Sequence, residues 1–330
     1  MDNNDLVERL YEGNSRAAAR LITIVENDFN EAQKIINLIY NKTGNAYILG
    51  ITGAPGSGKS TFISSLTKLF LKEGKKIGII CIDPSSPLTG GALLGDRIRM
   101  KEHFSLDNVF IRSMANRGQL GGLSRATEDA IKILDVYGCD VIIVETVGVG
   151  QSEVDIFKSA HTVLVLLVPG LGDDIQAIKA GIMEITDIFV INKMDLDGAD
   201  RKVSEIIQML ELNMNYKYEP IALDSQVKKI KVWNPEIVKV NSITGENFDI
   251  LLKLISLHKN YLFEYAISDY VKNRIKSETL QILKHKLTEK IEELLHSDVA
   301  EEYLNKVVDR SIDPYSMADL ILKMIGFEKQ

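Results

Sequence analysis

From Tyr47 onward, short apolar runs alternate with longer segments in which apolar residues recur every three or four positions. The runs at 47–52, 77–82, 108–113, 140–146, 162–168 and 187–191 predict buried strands, since an uninterrupted apolar run of this length suits a sheet covered on both faces. Between them, Phe62, Ile63, Leu66, Leu69 and Phe70 mark a helix over 59–73, and comparable stripes predict helices at 122–137 and 200–213. This alternation, continuing to about Lys259, predicts an α/β fold with a mostly parallel sheet and helices on both faces. In such sheets the ligand belongs beyond the carboxyl ends of the strands.

The flanks read differently. Residues 1–45 carry three apolar stripes (Leu6, Val7, Leu10; Ala17 to Val25; Ala32 to Ile39), read as short helices capped by residues such as Ser15 and Asn30. After Leu262 the pattern is helical throughout. Val271, Ile275, Leu280, Leu283, Leu287, Ile291 and Leu294 recur over more length than a surface helix needs, and Asp313-Pro314 opens a last helix. Two readings of this end stand: a dimerisation arm, or a helical cap folded back on its own domain. The expected organisation is an N-terminal helical segment at 1–45, a P-loop nucleotide-binding domain at 46–260 and a C-terminal helical dimerisation region at 261–330.

The chemistry sits where the predicted strands end. Gly53-Ala54-Pro55-Gly56-Ser57-Gly58-Lys59-Ser60-Thr61 follows the first strand and opens the first helix of the alternating region, the setting that a phosphate-binding loop (P-loop) requires. Its glycines let successive N–H groups turn inward on an anion at a helix N-terminus. Lys59 is expected on the β- and γ-phosphates, and the Ser60 hydroxyl on Mg²⁺. Asn192-Lys193-Met194-Asp195 closes the 187–191 run. A carboxylate at Asp195 can accept two hydrogen bonds from the ring N–H and the exocyclic amine of guanine, a pair that adenine lacks. A polar site left unpaired by the wrong base discriminates far more strongly than a methylene-sized difference. Lys193 is expected over the base and Asn192 as a tie to the phosphate loop, with Ser242 and Ile243 as a further base contact from a loop between a short strand and a helix. Glu145 ends the fourth strand beside the expected metal, with Gly148 near the γ-phosphate. Asp83 and Asp96, after the second strand, are further candidates for the ion or for orienting the attacking water. Asp83 can also be read as an Asx-type turn before Pro84.

Composition narrows the class. The 330 residues are 45% hydrophobic and 26% charged, as in globular proteins, and the formal net charge of −7 with scattered lysines argues against a nucleic-acid footprint. No apolar stretch suits a membrane span and the start Met1-Asp2-Asn3-Asn4-Asp5 is no signal peptide, so a cytoplasmic protein is expected. Cys81 and Cys139 fall at apolar strand positions and read as buried small hydrophobes.

Taken together, the chain resembles the MeaB/ArgK family, the methylmalonyl-CoA mutase-associated GTPases. The resemblance rests on Gly50-Ile-Thr-Gly-Ala-Pro-Gly-Ser-Gly-Lys-Ser, Asp83-Pro-Ser-Ser, Thr89-Gly-Gly-Ala-Leu-Leu-Gly-Asp96-Arg-Ile-Arg-Met, Arg117-Gly-Gln-Leu-Gly-Gly-Leu, Glu145-Thr-Val-Gly-Val-Gly-Gln-Ser-Glu153, Pro169-Gly-Leu-Gly-Asp-Asp-Ile-Gln-Ala-Ile-Lys179 and Asn192-Lys-Met-Asp195, in family order. It implies a homodimeric GTPase that binds a cobalamin-dependent acyl-CoA mutase, gates adenosylcobalamin loading and protects or reactivates the mutase. It also implies that Asp83, Asp96 and Glu145 serve the metal and hydrolysis, and that Asp173, Gln176 and Lys179 belong to an extra switch loop. Ile243 stands where the family often has alanine, and 214–236 supports no transfer of roles. Two rivals remain on the same fold. One is a metal-insertion GTPase, although the chain lacks the cysteine- or histidine-rich metal store such proteins usually carry. The other is a small-molecule P-loop kinase.

Overall fold

The computed structural model describes residues 2–84, 108–116, 122–146, 160–170, 185–214, 233–324 and 326. It divides into two units, 1–274 and 275–330.

The first unit is built on a seven-stranded sheet whose pairs are all parallel. Its strands are β1 (Tyr47–Gly53), β2 (Ile77–Pro84), β3 (Val109–Asn116), β4 (Val141–Thr146), β5 (Thr162–Leu167), β6 (Ile188–Ile191) and β7 (Glu236–Lys239), in the order β3-β2-β4-β1-β5-β6-β7. The six expected strands are all present, each with one or both ends shifted by one to three residues. The seventh, β7, is the short strand expected before the Ser242 loop; it is only four residues long, and no apolar run marked its bounds.

Because side chains alternate across a strand, each face of the sheet gathers its own core. On one face Tyr47, Leu49 and Ile51 of β1 join Ile143, Leu164 and Val190 beneath α4 (Lys59–Lys72) and α7 (Phe248–Tyr261). On the other, Ile48, Ile80, Val144, Val165 and Phe189 pack under α5 (Gly122–Val136) and α6 (Ala199–Met214). The N-terminal helices α1 (Asn3–Tyr11), α2 (Ser15–Asn27) and α3 (Phe29–Ile39) bury Leu10, Leu21, Ile22, Ile35 and Ile39 in that second core. Their caps differ from expectation. The side chain of Asn14, not Ser15, accepts the Ala17 N–H at 3.0 Å, and Asp28, not Asn30, accepts the Glu31 N–H at 2.9 Å. In each case the residue just outside the helix has the extended backbone from which a short polar side chain reaches the third helical N–H.

Charged groups fasten this layer. Asp135 of α5 is buried and accepts backbone N–H bonds from Gly44, Asn45 and Ala46, at 2.5, 3.2 and 2.9 Å. Arg112 of β3 pairs with Glu26 of α2 at 2.7 Å, and Arg125 of α5 donates to Asp129 and to the Val25 carbonyl.

At the amino ends of the strands a second polar network is enclosed. Tyr47 bonds Thr162, whose Oγ1 lies 2.6 Å from Nδ1 of His258, and Nε2 of the same ring lies 3.2 Å from Asp187. His161 stacks on Tyr47 and accepts the Ile48 N–H at Nδ1. Burial, then the charges of Arg274, Lys259 and the His258 ring, push the His161 pKa down to about 3. Burial also pushes the Cys139 thiol up to about 12, and both cysteines are buried, as expected, and outside any disulfide.

Past α7, a π-helical turn (Leu262–Ala266) leads into the 29-residue α8 (Ile267–Leu295), none of whose residues is buried. In the second unit α9 (Asp298–Val308) and α10 (Pro314–Met324) follow, burying Ala300, Met317 and Ile321. No helix among the described residues is long and apolar enough to cross a membrane.

Two outcomes follow from these contacts. Asp135→Ala leaves three backbone donors without their carboxylate and should cost about 2–3 kcal/mol in urea unfolding, with Asp135→Asn losing less. His161 is harder to protonate folded than unfolded, so the unfolded chain binds the extra proton between its ordinary pKa near 6.5 and about 3. Its contribution is complete above that window and is lost as pH falls through it. A thermal-melt series should show His161→Gln, which cannot be protonated, falling less steeply than wild type over that range.

Candidate functional site

The ends of β1, β5 and β6 lie side by side, and the loops that leave β1 and β6 meet there. The loop from Gly53 to Gly58 curls over the start of α4, with the Ser57 N–H closing on the Ala54 carbonyl at 3.1 Å. Gly56 and Gly58 hold φ of +83° and +87°, a region that side chains with a Cβ rarely enter. Lys59, the first residue of α4, is buried and turns its ammonium back to the carbonyls of Gly53 and Ala54, at 2.7 and 3.2 Å. A positive charge is thereby held at the mouth of a helix N-terminus, where an anion finds both backbone donors and an ion-pair partner. Ser60 is half-buried, while Pro55 and Thr61 face solvent. The buried Ser57 hydroxyl has no hydrogen-bond partner among the described residues.

The second loop is fastened to the first by one side chain. Asn192 is buried, and its Nδ2 donates to the Ser57 carbonyl at 2.8 Å. Its Oδ1 accepts from the Ser242 hydroxyl at 2.7 Å and from the Ser242 N–H at 3.2 Å. Lys193, at φ +56°, reaches over the phosphate loop to donate to the Gly56 carbonyl at 3.0 Å. The loop after β7 is held from below as well, because Ser65 of α4 donates to the Ser242 carbonyl at 2.7 Å. The expected tie through Asn192 is therefore present, and Ser242 joins it. Asp195 faces solvent two residues beyond Lys193, and Ile243 is 86% exposed at the rim.

Glu145 is the penultimate residue of β4, between β1 and β2, level with Ile51 and Cys81, and is only 4% exposed. The Cys81 thiol lies 3.7 Å from its Oε2, a contact that the apolar reading of Cys81 did not include. Thr146, the next residue, donates its hydroxyl to Thr52 at 3.1 Å. Asp83 lies near the end of β2, paired with Ala115, and its backbone alone is described. Asp96, Gly148, Asp173, Gln176, Lys179 and most of 214–236 lie outside the described residues. Among the described residues no three His, Cys, Asp or Glu side chains converge as a metal cage.

With this geometry in view, comparison with known proteins is decisive. The model of the methylmalonyl-CoA mutase-associated GTPase MeaB family matches residues 18–296. The chain belongs to the MeaB family. It is a P-loop GTPase, in keeping with its relatives. A protein of Pyrococcus horikoshii that carries a GTPase name is 50% identical over 323 residues, covering 98% of each chain. GTPase ArgK of Escherichia coli is 36% identical over 247 residues, 74% of this chain and 72% of its own. The mitochondrial methylmalonic aciduria type A homolog of Mus musculus is 29% identical over 347 residues, covering 96% of this chain and 79% of its own. Among solved structures, an LAO/AO transport system kinase superposes with a TM-score of 0.68 at 25% identity over 98% of both chains.

Sequence reasoning missed Ser65 and Asn241. Asn241 begins the loop after β7, and its side chain accepts the Ile243 and Thr244 N–H groups, at 2.9 and 3.1 Å. The signal available was local: an asparagine just beyond a short strand, with a glycine four residues on, is the composition of an Asx-type turn.

A Cβ built on Gly58 would lie 2.6 Å from Nδ2 of Asn192, whereas one on Gly56 meets nothing within 4 Å. Both positions carry the left-handed penalty, so the pair isolates the tie. Gly58→Ala should weaken GTP binding at least about tenfold by calorimetry, and Gly56→Ala distinctly less.

Proposed function

We propose that this GTPase holds Mg²⁺·GTP at the carboxyl ends of β1, β4 and β6, and that its nucleotide state governs a cobalamin-dependent acyl-CoA mutase. The observation that carries the nucleotide reading is the Asn192 tie, which makes one rigid object of the phosphate loop and the Asn192–Asp195 loop. In this reading the backbone of Gly53, Ala54, Pro55, Gly56, Ser57 and Gly58 cradles the phosphates, with Thr61 following on α4. Lys59 leaves the two carbonyls that hold it and moves onto the β- and γ-phosphoryl oxygens. Lys193 lies along the base, while Asp195 reads the guanine edge beside Ser242 and Ile243.

The donors near the phosphate loop suit magnesium, which takes oxygen ligands and retains several waters. They are the Ser60 hydroxyl and the Glu145 carboxylate, with Asp83 on the neighbouring strand and Asp96 beyond it. When bound, the ion neutralises charge building on the β- and γ-phosphoryl oxygens. Glu145 is held by the sheet on both sides, so its position is set before substrate arrives. Asp83 or Asp96 orients the attacking water, and Gly148 donates near the γ-phosphate.

Neither a glutamine directly beside Gly148 nor a clearly placed arginine finger is present in the sequence, so unaided hydrolysis is slow. A partner that orders the loops around Gly148 and around Asp173, Gln176 and Lys179 then accelerates it. The family's mutase association and the resemblance to the methylmalonic aciduria type A homolog support a mutase as that partner. The same reasoning assigns the protein to gating of adenosylcobalamin loading and to protection or reactivation of the mutase. Val271, Ile275, Leu280, Leu283 and Leu287 of α8 are 39–52% exposed, which supports a homodimer formed through the C-terminal helices. A cytoplasmic location belongs to the same proposal.

The test is phosphate release from GTP and from ATP, with magnesium present or chelated. Each is measured alone and with a methylmalonyl-CoA-type mutase, arginine or a transition metal ion added. Slow GTP-only turnover that requires magnesium and rises with the mutase is the expected result. Equal rates with and without the mutase overturn the partner assignment. Stimulation by arginine or by a metal ion instead favours the kinase or the metal-insertion reading.

A further inference from the structure

We propose that Asn241 is a positioning residue for base selection, fixing the carboxylate of Asp195 in the orientation that reads guanine. This rests on the guanine assignment above and extends it to a residue outside both loop motifs.

Asn241 is 8% exposed and sits directly after the residue that leaves β7, Val240. Its Nδ2 donates to Oδ1 of Asp195 at 2.8 Å. Its Oδ1 accepts the backbone N–H groups of Ile243 and Thr244. The direction of the amide is dictated by these partners. Two N–H donors demand the oxygen on one side and a carboxylate demands the NH₂ on the other, so a flipped amide would lose all three bonds. Asp195 itself is exposed, and the final torsion of an aspartate is broad, so the carboxylate does not orient itself. With Oδ1 engaged by Asn241, Oδ2 and the remaining lone pair are presented outward as a fixed acceptor pair. Asn241 and Ser242 thus hold opposite ends of the 192–195 loop, one through Asp195 and the other through Asn192. A neutral amide suits the task. A carboxylate at 241 would keep the turn, because it still accepts the Ile243 and Thr244 N–H groups, but would set a negative charge against Asp195.

The experiment is steady-state hydrolysis of GTP, inosine triphosphate and xanthosine triphosphate by the full-length chain. Wild type is compared with Asn241→Ala, Asn241→Asp and Asp195→Asn. Inosine lacks the exocyclic amine, so it reports half of the Asp195 contact. With the carboxylate unfixed, Asn241→Ala should raise KM for GTP about tenfold, raise it far less for the inosine nucleotide, and act little on kcat. Asn241→Asp keeps the turn and so separates positioning from folding. Its KM for GTP should climb as pH rises from 5 to 8 and the paired carboxylates both ionise, a dependence that wild type lacks. A purely structural role would instead move kcat, or all three nucleotides alike. If Asp195→Asn turns preference toward the xanthine nucleotide while both Asn241 variants keep the wild-type ratio of GTP to inosine triphosphate, the guanine assignment stands and the positioning role is overturned. If Asp195→Asn alters no preference, the guanine assignment falls and takes the positioning role with it.

Discussion

The primary amide of Asn192 spans the distance between two loops 135 residues apart in sequence, and the architecture around it is arranged so that it can. Its backbone N–H bonds the Leu167 carbonyl at the end of β5, so the loop leaves β6 pressed against the strand beside β1. From there Nδ2 reaches the Ser57 carbonyl, and the approach is close enough that position 58 has no room for a Cβ. A longer or shorter side chain at 192 would have to give up either Ser57 or Ser242. The two loops are thereby coupled mechanically, since neither can shift without pulling on the other; on the proposed reading this couples phosphate binding to base recognition.

Much of this was legible beforehand because the informative features are local. Apolar runs bounded by glycine or by charge located six strands, and the Gly53–Ser60 and Asn192–Asp195 segments stood out by their fixed spacing. What stayed hidden depends on partners far away in the chain. The stripes of α1, α2 and α3 announced helices but not that α5 and the sheet would cover them, because an amphipathic face does not name what it packs on. The short strand expected before Ser242 is β7, whose bounds stayed hidden because its four residues include a buried glutamate, Glu236, and are defined by pairing with β6. Asn14 and Asn241 were overlooked for a related reason. Short polar side chains serve as caps, turns and ligands alike, and only the neighbouring backbone decides among them.

The α5 layer shows how the N-terminal helices are specified rather than merely buried. Leu, Ile and Ala stripes would allow several packing angles at similar cost. Arg112 against Glu26, Arg125 against the Val25 carbonyl, and Asp135 against three backbone donors each function in one arrangement only. Buried ion pairs add little net stability, because desolvation offsets most of their attraction, but a mismatched one is expensive. Their effect here is selection among dockings, with the apolar area supplying the driving force.

The same logic governs β1, the strand that delivers the phosphate loop. At its start Tyr47 is bonded to Thr162 and through it to His258 and Asp187, so sliding β1 against β5 would strand a buried hydroxyl. At its end Gly53 pairs with Leu166 so closely that a Cβ there would fall 2.4 Å from the Leu166 carbonyl. A slip of one residue would bring Thr52 or Ala54 to that point and send every β1 side chain to the wrong face. The uniform apolar run of β1 could not have set this register, since Ile48, Leu49 and Ile51 are interchangeable to a hydrophobic core. The polar lock at one end and the missing side chain at the other set it. They fix the height at which the loop leaves the sheet, and hence whether Ser57 comes within reach of Asn192.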